Sequence, residues 1–290
     1  MGGLVTTYGA GMAVPDWPNT FGYNLFLYPL ESWLAVWDVF LEHSHRLLGA
    51  TVGLLTIALA AALWLGDRRR GAKWLGLAAL LGVVLQGVLG GLRVLGNEVF
   101  LAKVHGCTGP AFFALATALV TLTAPGWQAH AATAGSTPAF RRAAWMVAAM
   151  IYVQIVLGAN LRHQDPEAGL GAFRLWVWLH VIVAGVVLGA GVGLRVWGRS
   201  AAGRPVVARR AGLLALLLVL QVVLGVAAWV TRYGIPSWFA DWVWEFPYTV
   251  QAHSPLQALA VTAHVAVGSL ALATAVTLGL WSAPKGMAQS

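Results

Sequence analysis

Apolar residues are gathered along this chain in long blocks, at roughly 42–65, 74–94, 102–122, 143–161, 175–196, 211–231 and 256–281. A helix needs about 20 apolar residues to cross the hydrocarbon of a bilayer. The pattern therefore predicts seven full membrane-spanning helices. Residues 1–9 are apolar too but are too few to span, and they read as the tail of a further helix at the front of an eight-helix plan. The expected fold class is an all-α polytopic membrane protein. Its expected divisions are an N-terminal half at 1–125, a linker at 126–142 and a C-terminal half at 143–290.

A repeat is superimposed on the blocks. Gln86-Gly87-Val88-Leu89-Gly90, Gln154-Ile155-Val156-Leu157-Gly158 and Gln221-Val222-Val223-Leu224-Gly225 recur, and each leads through a loop into a block with one histidine: His105, His180 or His264. The opening Gly2-Gly3-Leu4-Val5-Thr6-Thr7-Tyr8-Gly9 is similar to Trp229-Val230-Thr231-Arg232-Tyr233-Gly234 and leads into His45. The unit is either two helices present four times or a four-helix bundle present twice.

Composition agrees with the blocks. The 290 residues are 59% hydrophobic and 10% charged, against the about 25% charge of soluble domains, and the mean hydropathy is +0.74. The 15 tryptophans suit water–lipid interfaces. The formal charge of +8 gives no basic stripe for nucleic acid, because the basic residues sit in loops. Arg68, Arg69, Arg70, Lys73, Arg141, Arg142, Arg195, Arg199, Arg204, Arg209, Arg210 and Lys285 fall on one side of the predicted topology, with Asp67 the one acid there. The acids Asp16, Glu31, Asp38, Glu98, Asp165, Glu167, Asp241 and Glu245 belong to the other. The positive-inside rule makes the first side cytoplasmic and the loops 10–41 and 232–255 external. The single cysteine, Cys107, excludes an internal disulfide and reads as a small buried residue.

The candidate chemistry lies near the outer helix ends. His45 and His105 fall about one turn inside their helices, and His180 and His264 about two. Four imidazoles at equivalent repeat positions point to axial iron ligands for two haems, since neutral imidazole binds iron and bundles hold cofactors with side chains from facing helices. Hydrogen-bonded structural histidine is the other reading for any one of them. His43, two residues from His45 on another face, reads as interfacial. His130 reads as solvated in a cytoplasmic loop, and His163 and His253 as meeting solvent or making loop hydrogen bonds.

Glu42 lies three residues before His45 on the same face and is placed to relay protons or position an oxygen species. An ion pair with Arg46 or a favourable helix-dipole position accounts for it equally. Arg46, Arg93, Arg162, Arg174 and Arg232 suit haem propionates or snorkelling to the interface. Gln86, Gln154 and Gln221 suit helix–helix hydrogen bonding or a cofactor contact.

These residues carry a resemblance. Gly2-Gly3-Leu4-Val5-Thr6, Pro15-Asp16-Trp17-Pro18, Glu42-x-x-His45-Arg46-Leu47-Leu48-Gly49, the three Gln-x-x-x-Gly copies, His105, His180 and His264 together resemble the haem A synthase family of membrane oxidases over nearly the whole length. The resemblance implies two pseudo-symmetric four-helix halves in a bacterial cell membrane, with the haem sites toward the outer face. It places haem O, the substrate, between His45 and His105, and a resident haem b between His180 and His264. It implies oxidation of the C8 methyl of haem O to a formyl group, giving haem A for cytochrome oxidase. Glu42 matches the family's important carboxylate. Implied partners are a haem O synthase, oxidase assembly factors, and a membrane electron carrier such as a quinone.

Two departures stand out. Many members carry a cysteine pair in the first outer loop, one of them just before Pro-Asp-Trp-Pro; Val14 stands there, so a thiol-dependent step is not expected. The first copy is expected to lack most of its first helix, as a late start or a truncated chain would leave it, and activity from Met1 would require that helix to be dispensable. Outside the resemblance, a non-enzymatic bis-histidine cytochrome b and a haem-handling transporter remain alternatives. The second half has no acid matching Glu42, with Val177 and Trp178 preceding His180, which argues against a simple electron carrier. No broken helix or midplane charge favours a transporter.

Overall fold

The computed structural model describes residues 1–127, 137–164, 169–201, 205–235 and 250–282. His130, Asp165, Glu167, Asp241, Glu245, Arg204 and Lys285 lie outside the described residues, as do most of the 126–142 linker and the 232–255 loop.

Three short elements open the chain: α1 (Gly2–Thr7), a 3-10 turn (Ala10–Met12) and α2 (Leu30–Ala35). Seven long helices follow: α3 (Trp37–Gly66), α4 (Arg70–Gly96), α5 (Val99–Thr123), α6 (Pro138–Arg162), α7 (Gly169–Ala201), α8 (Pro205–Tyr233) and α9 (Pro255–Trp281). All seven are long and apolar enough to cross a membrane. Among the described residues no strand forms beyond one isolated bridge, Thr20 with Tyr23. The chain is an all-α polytopic membrane protein, as the apolar blocks predict. Leu55 and Leu65 of α3 are 65% and 86% exposed, an arrangement that suits lipid rather than water.

Most of the helices begin several residues before their apolar blocks. The added first turns hold polar residues, such as Asp38 of α3 and Arg70 of α4. Backbone hydrogen bonding continues a helix past the point where hydrophobicity stops marking it, and an acid in the first turn of α3 suits the dipole. The α4–α5 connection is only Asn97 and Glu98. Asn97 adopts the left-handed conformation at φ 48, and its N–H and that of Glu98 bond back to Val94 O and Arg93 O, each at 3.3 Å. This is the residue type and geometry of a helix C-terminal cap. At the start of α6, Thr137 Oγ1 accepts the Phe140 N–H at 3.3 Å and Pro138 occupies the first turn.

The chain divides into two compact units, Gly49–Leu218 with Gly268–Ser290, and Met1–Leu48 with Val219–Val267. The larger unit has a core of Phe140, Ala144, Val147 and Ile151 from α6, Val187 and Leu194 from α7, Ala211 and Leu214 from α8, and Ala271, Ala275 and Leu278 from α9. Small residues let these helices approach closely. A Cβ on Gly279 would lie 2.7 Å from the Trp145 ring, and one on Gly191 would overlap Leu218. Arg69 at the α3–α4 turn pairs with Asp67 at 2.6 Å and donates to Leu122 O at 3.1 Å. The hydrogen bonds from Arg69 bring the Asp67 carboxyl down to about 2.

The smaller unit packs α1 under the loop that follows it, with Val5, Ala10 and Leu41 buried together. Within that loop Phe21 and Gly22 both have positive φ, 49° and 77°, the requirement of a type I′ turn. Thr20 and Tyr23 exchange backbone bonds across it at 3.0 Å. The Asp16 carboxylate accepts both turn amides, Phe21 N–H and Gly22 N–H, each at 2.8 Å. Partial burial works to raise the Asp16 pKa, but the amide bonds and the charge of Arg46 outweigh it, so the group lies below its ordinary value.

Candidate functional site

Two sets of side chains near helix ends concentrate the chemistry. The first surrounds Glu42 in the smaller unit. Glu42 is 3% exposed. Its Oε1 accepts from Arg46 Nη2 at 2.7 Å, and its Oε2 accepts the backbone N–H of Val14 at 2.9 Å. Arg46 Nη2 also donates to Val14 O at 2.8 Å, while Nη1 donates to Asp16 O at 2.6 Å and Asn19 O at 2.8 Å. Those four bonds use every N–H on the two terminal nitrogens of the guanidinium. The i,i+4 pairing of Glu42 with Arg46 is one of the two arrangements open at the level of sequence. The grip on Val14, Asp16 and Asn19 is not visible there, because the acceptors are main-chain atoms about thirty residues away.

His43 departs from the interfacial reading. It is 1% exposed, and its Nδ1 lies 3.0 Å from Thr20 Oγ1. Tyr28 and Trp33 cover it, with ring centroids at 5.0 and 5.2 Å. The physical reason is the folded loop: residues 20–33 return onto α3 and enclose an imidazole that would otherwise meet the headgroup region. Glu42, His43 and the Arg46 guanidinium thus form a polar interior between the loop and the first turns of α3.

The second set is the repeated histidine and its glutamine–glycine partner. In α4 and α5, His105 Nδ1 lies 3.1 Å from Gln86 O, and Gln86 Nε2 donates to His105 O at 3.0 Å. Thr108 Oγ1 is within hydrogen-bond distance of Gln86 Oε1 and of Val104 O and His105 O. In α6 and α7, Gln154 Nε2 donates to His180 O at 2.8 Å. In α8 and α9, His264 Nδ1 lies 3.1 Å from Gln221 O, and Gln221 Nε2 lies 3.3 Å from His264 Nε2. A carbonyl oxygen only accepts, so Nδ1 carries the proton in His105 and in His264. Nε2 is then the unprotonated nitrogen of both rings, the tautomer seen where an outer partner backs a metal-binding imidazole. In His264 it accepts from the Gln221 side-chain amide at 3.3 Å.

The glycine of each motif faces the same imidazole. A Cβ on Gly90 would lie 3.1 Å from His105 Cε1, one on Gly158 3.2 Å from His180 Cε1, and one on Gly225 3.1 Å from His264 Cε1. Gly2 faces His45 more loosely, with a Cβ there 3.6 Å from Cε1, an ordinary contact. The match of Gly2 with the later glycines is the structural form of the sequence repeat. What the motif leaves hidden is that the glutamine acts partly through its carbonyl, a group every residue has.

The remaining candidates are dispersed. His253 Nδ1 lies 2.7 Å from Thr7 O, a loop hydrogen bond of the kind expected. His163 follows α6 as its C-cap. Arg93, Arg162 and Arg232 stand in the last turns of their helices, and Arg232 lies over the Tyr233 ring at 5.4 Å. Cys107 is buried, as its residue type predicts. Among the described residues no three His, Cys, Asp or Glu side chains gather as a metal-ion cluster would require. A haem iron asks less of the protein, two axial ligands at most.

The comparisons with known proteins agree with the motifs. Residues 1–171 match the profile of the COX15-CtaA family, described as cytochrome oxidase assembly protein. Curated relatives include the "Heme A synthase" proteins of Alkalihalophilus pseudofirmus, 27% identical over 60% of this chain and 58% of the relative, and of Bacillus licheniformis, 30% identical over 57% and 54%. A third, from Shouchella clausii, is 27% identical over 60% and 57%. The chain thus spans little more than half the length of the curated relatives it matches. No solved structure matches it. With more than half of its length matched by one family profile, the chain belongs to the COX15-CtaA family of cytochrome oxidase assembly proteins.

Proposed function

We propose that this protein is a haem A synthase, which oxidises the C8 methyl of haem O to a formyl group. The observation that carries the reading is the tautomer of two helix histidines. His105 and His264 each give their Nδ1 proton to a glutamine main-chain carbonyl, which leaves Nε2 unprotonated, and a haem at His264 would displace the Gln221 side-chain amide from it. His45, His105, His180 and His264 are the axial ligands in this reading, serving a substrate haem in the N-terminal half and a resident haem b in the C-terminal half. The donor set fits, because the imidazoles of His105 and His264 are backed by main-chain acceptors and a glycine faces each of the four rings.

The haem groups, when bound, supply the redox chemistry. The chain's own residues hold and orient. Glu42, one turn before His45, is the candidate acid–base group: each oxygen takes one hydrogen bond from the protein and retains capacity for another. Arg46 fixes that carboxylate and ties residues 14–19 down beside it, so its role here is positioning rather than binding a propionate. The basic loops face the cytoplasm in this reading and the histidine sites lie toward the outer face. Electrons leave to a membrane carrier such as a quinone, and the product serves cytochrome oxidase.

The test is co-expression with a haem O synthase in a host lacking haem A, followed by extraction and chromatography of the haems. A new formyl-bearing haem supports the proposal. Unchanged haem O with a bound b-type spectrum supports the second reading, a non-enzymatic cytochrome b, in which Glu42 serves only to anchor Arg46 and Val14.

A further inference from the structure

The Gln-x-x-x-Gly repeat has a role that neither helix gluing nor iron ligation describes. In each copy the glycine lies one turn after the glutamine, on the same helical face, and both meet one histidine of a neighbouring helix. The glutamine engages the main chain or Nδ1 side of that residue. The glycine lies against Cε1, the carbon between the two ring nitrogens. The Nδ1 bonds of His105 and His264, and the bond from Gln154 to His180 O, still leave each ring some freedom to turn. The absence of a side chain at the glycine leaves just enough space for the ring edge, since a Cβ there would already crowd Cε1.

We propose that Gly90, Gly158 and Gly225 are positioning residues that set the plane of the imidazoles of His105, His180 and His264, and with it the orientation each presents to a bound haem. The inference rests on the haem-binding reading above. Separations of 3.1, 3.2 and 3.1 Å are closer than carbon atoms rest comfortably, so alanine at these sites must push the ring aside. Gly2 supplies an internal contrast. Its Cβ would lie 3.6 Å from His45 Cε1, ordinary contact, so alanine there leaves the ring where it is. Gly87 on α4 and Gly189 on α7 give a second contrast, since a Cβ on either meets nothing within 4 Å.

These sites lie in helices, where alanine is the better former, so substitution does not weaken the local fold on backbone grounds. The experiment uses the full chain purified with its haem from the membrane. Low-temperature EPR of the oxidised protein reads the relative orientation of axial imidazoles, and the Soret band reads haem content. Gly90→Ala, Gly158→Ala and Gly225→Ala are expected to shift the low-spin signal of the affected haem or lose that haem. Gly2→Ala, Gly87→Ala and Gly189→Ala are expected to match the parent in both readings. Three variants with the parent's EPR signal and haem content overturn the inference while leaving the haem reading intact. Equal loss of haem in all six overturns it as well, since that outcome reports helix disturbance rather than ring placement. A parent protein without a Soret band overturns the haem reading itself. Should one variant fail to accumulate, the two remaining sites decide by the same comparison.

Discussion

Arg46 and Glu42 hold each other at 2.7 Å while each also holds the loop before them, Arg46 through three carbonyls and Glu42 through the Val14 amide. The pair is buried, with side chains 9% and 4% exposed. Removing one partner of a buried pair costs about 3–5 kcal/mol, because the other is left uncompensated. Arg46→Ala is expected to lower thermal stability in detergent by that order and to open residues 10–24 to protease. Glu42→Gln retains an acceptor for Val14 and is expected to cost less. A fully protected loop in Arg46→Ala would show that the clamp does not organise it.

The same carboxylate separates catalysis from binding. Glu42→Ala is expected to keep the haem spectrum and to lose formyl-haem product in the co-expression assay. Product at the parental rate would remove Glu42 from the chemistry and leave it with its loop-anchoring role alone.

Asp16 gives the loop a pH dependence. Its folded-state pKa lies below the ordinary value, so its contribution to stability is complete above the unfolded pKa of about 3.9 and is lost as pH falls through the lower folded value. Protease sensitivity of residues 10–24 is expected to rise as the medium is acidified below about pH 4. Asp16→Asn is expected to be sensitive at neutral pH already and to lack that acid step. An acid step of unchanged size in Asp16→Asn would assign the transition to another group.

The helices were legible because a span must be apolar for some 20 residues, a requirement written in consecutive residues. Their starts were not, since Trp37, Pro138 and Gly169 begin helices in polar or aromatic surroundings where hydrogen bonding and caps decide. The four helix histidines and the repeat were equally readable. His43 was not: its burial depends on Thr20, Tyr28 and Trp33, contacts made only after the loop folds back. Nor did sequence separate a Glu42–Arg46 pair from a free carboxylate, since both place the residues four apart. The i,i+4 spacing makes the pair possible, and the Val14 amide together with three loop carbonyls selects it.

Packing of the larger unit depends on small residues at close crossings. Gly279→Val would drive a branched side chain into Trp145, whose ring atoms already lie 2.7 Å from where a Cβ would stand. Overpacking of this kind costs about 1–3 kcal/mol. The variant is expected to melt at lower temperature in detergent, whereas Gly49→Val, at a site with nothing within 4 Å, is expected to change stability little. Equal melting temperatures would place the α6–α9 contact outside the stabilising core.

The central claim is that the imidazoles of His45, His105, His180 and His264 bind haem iron through Nε2. Its most direct test is the optical spectrum of the purified chain after reconstitution with haem, compared with four variants that each replace one of these histidines by alanine. The account predicts a six-coordinate low-spin Soret band in the parent and a diminished or altered band in every variant, with His180→Ala losing the b-type signal. A parent with no Soret band, or four variants indistinguishable from it, would contradict the account.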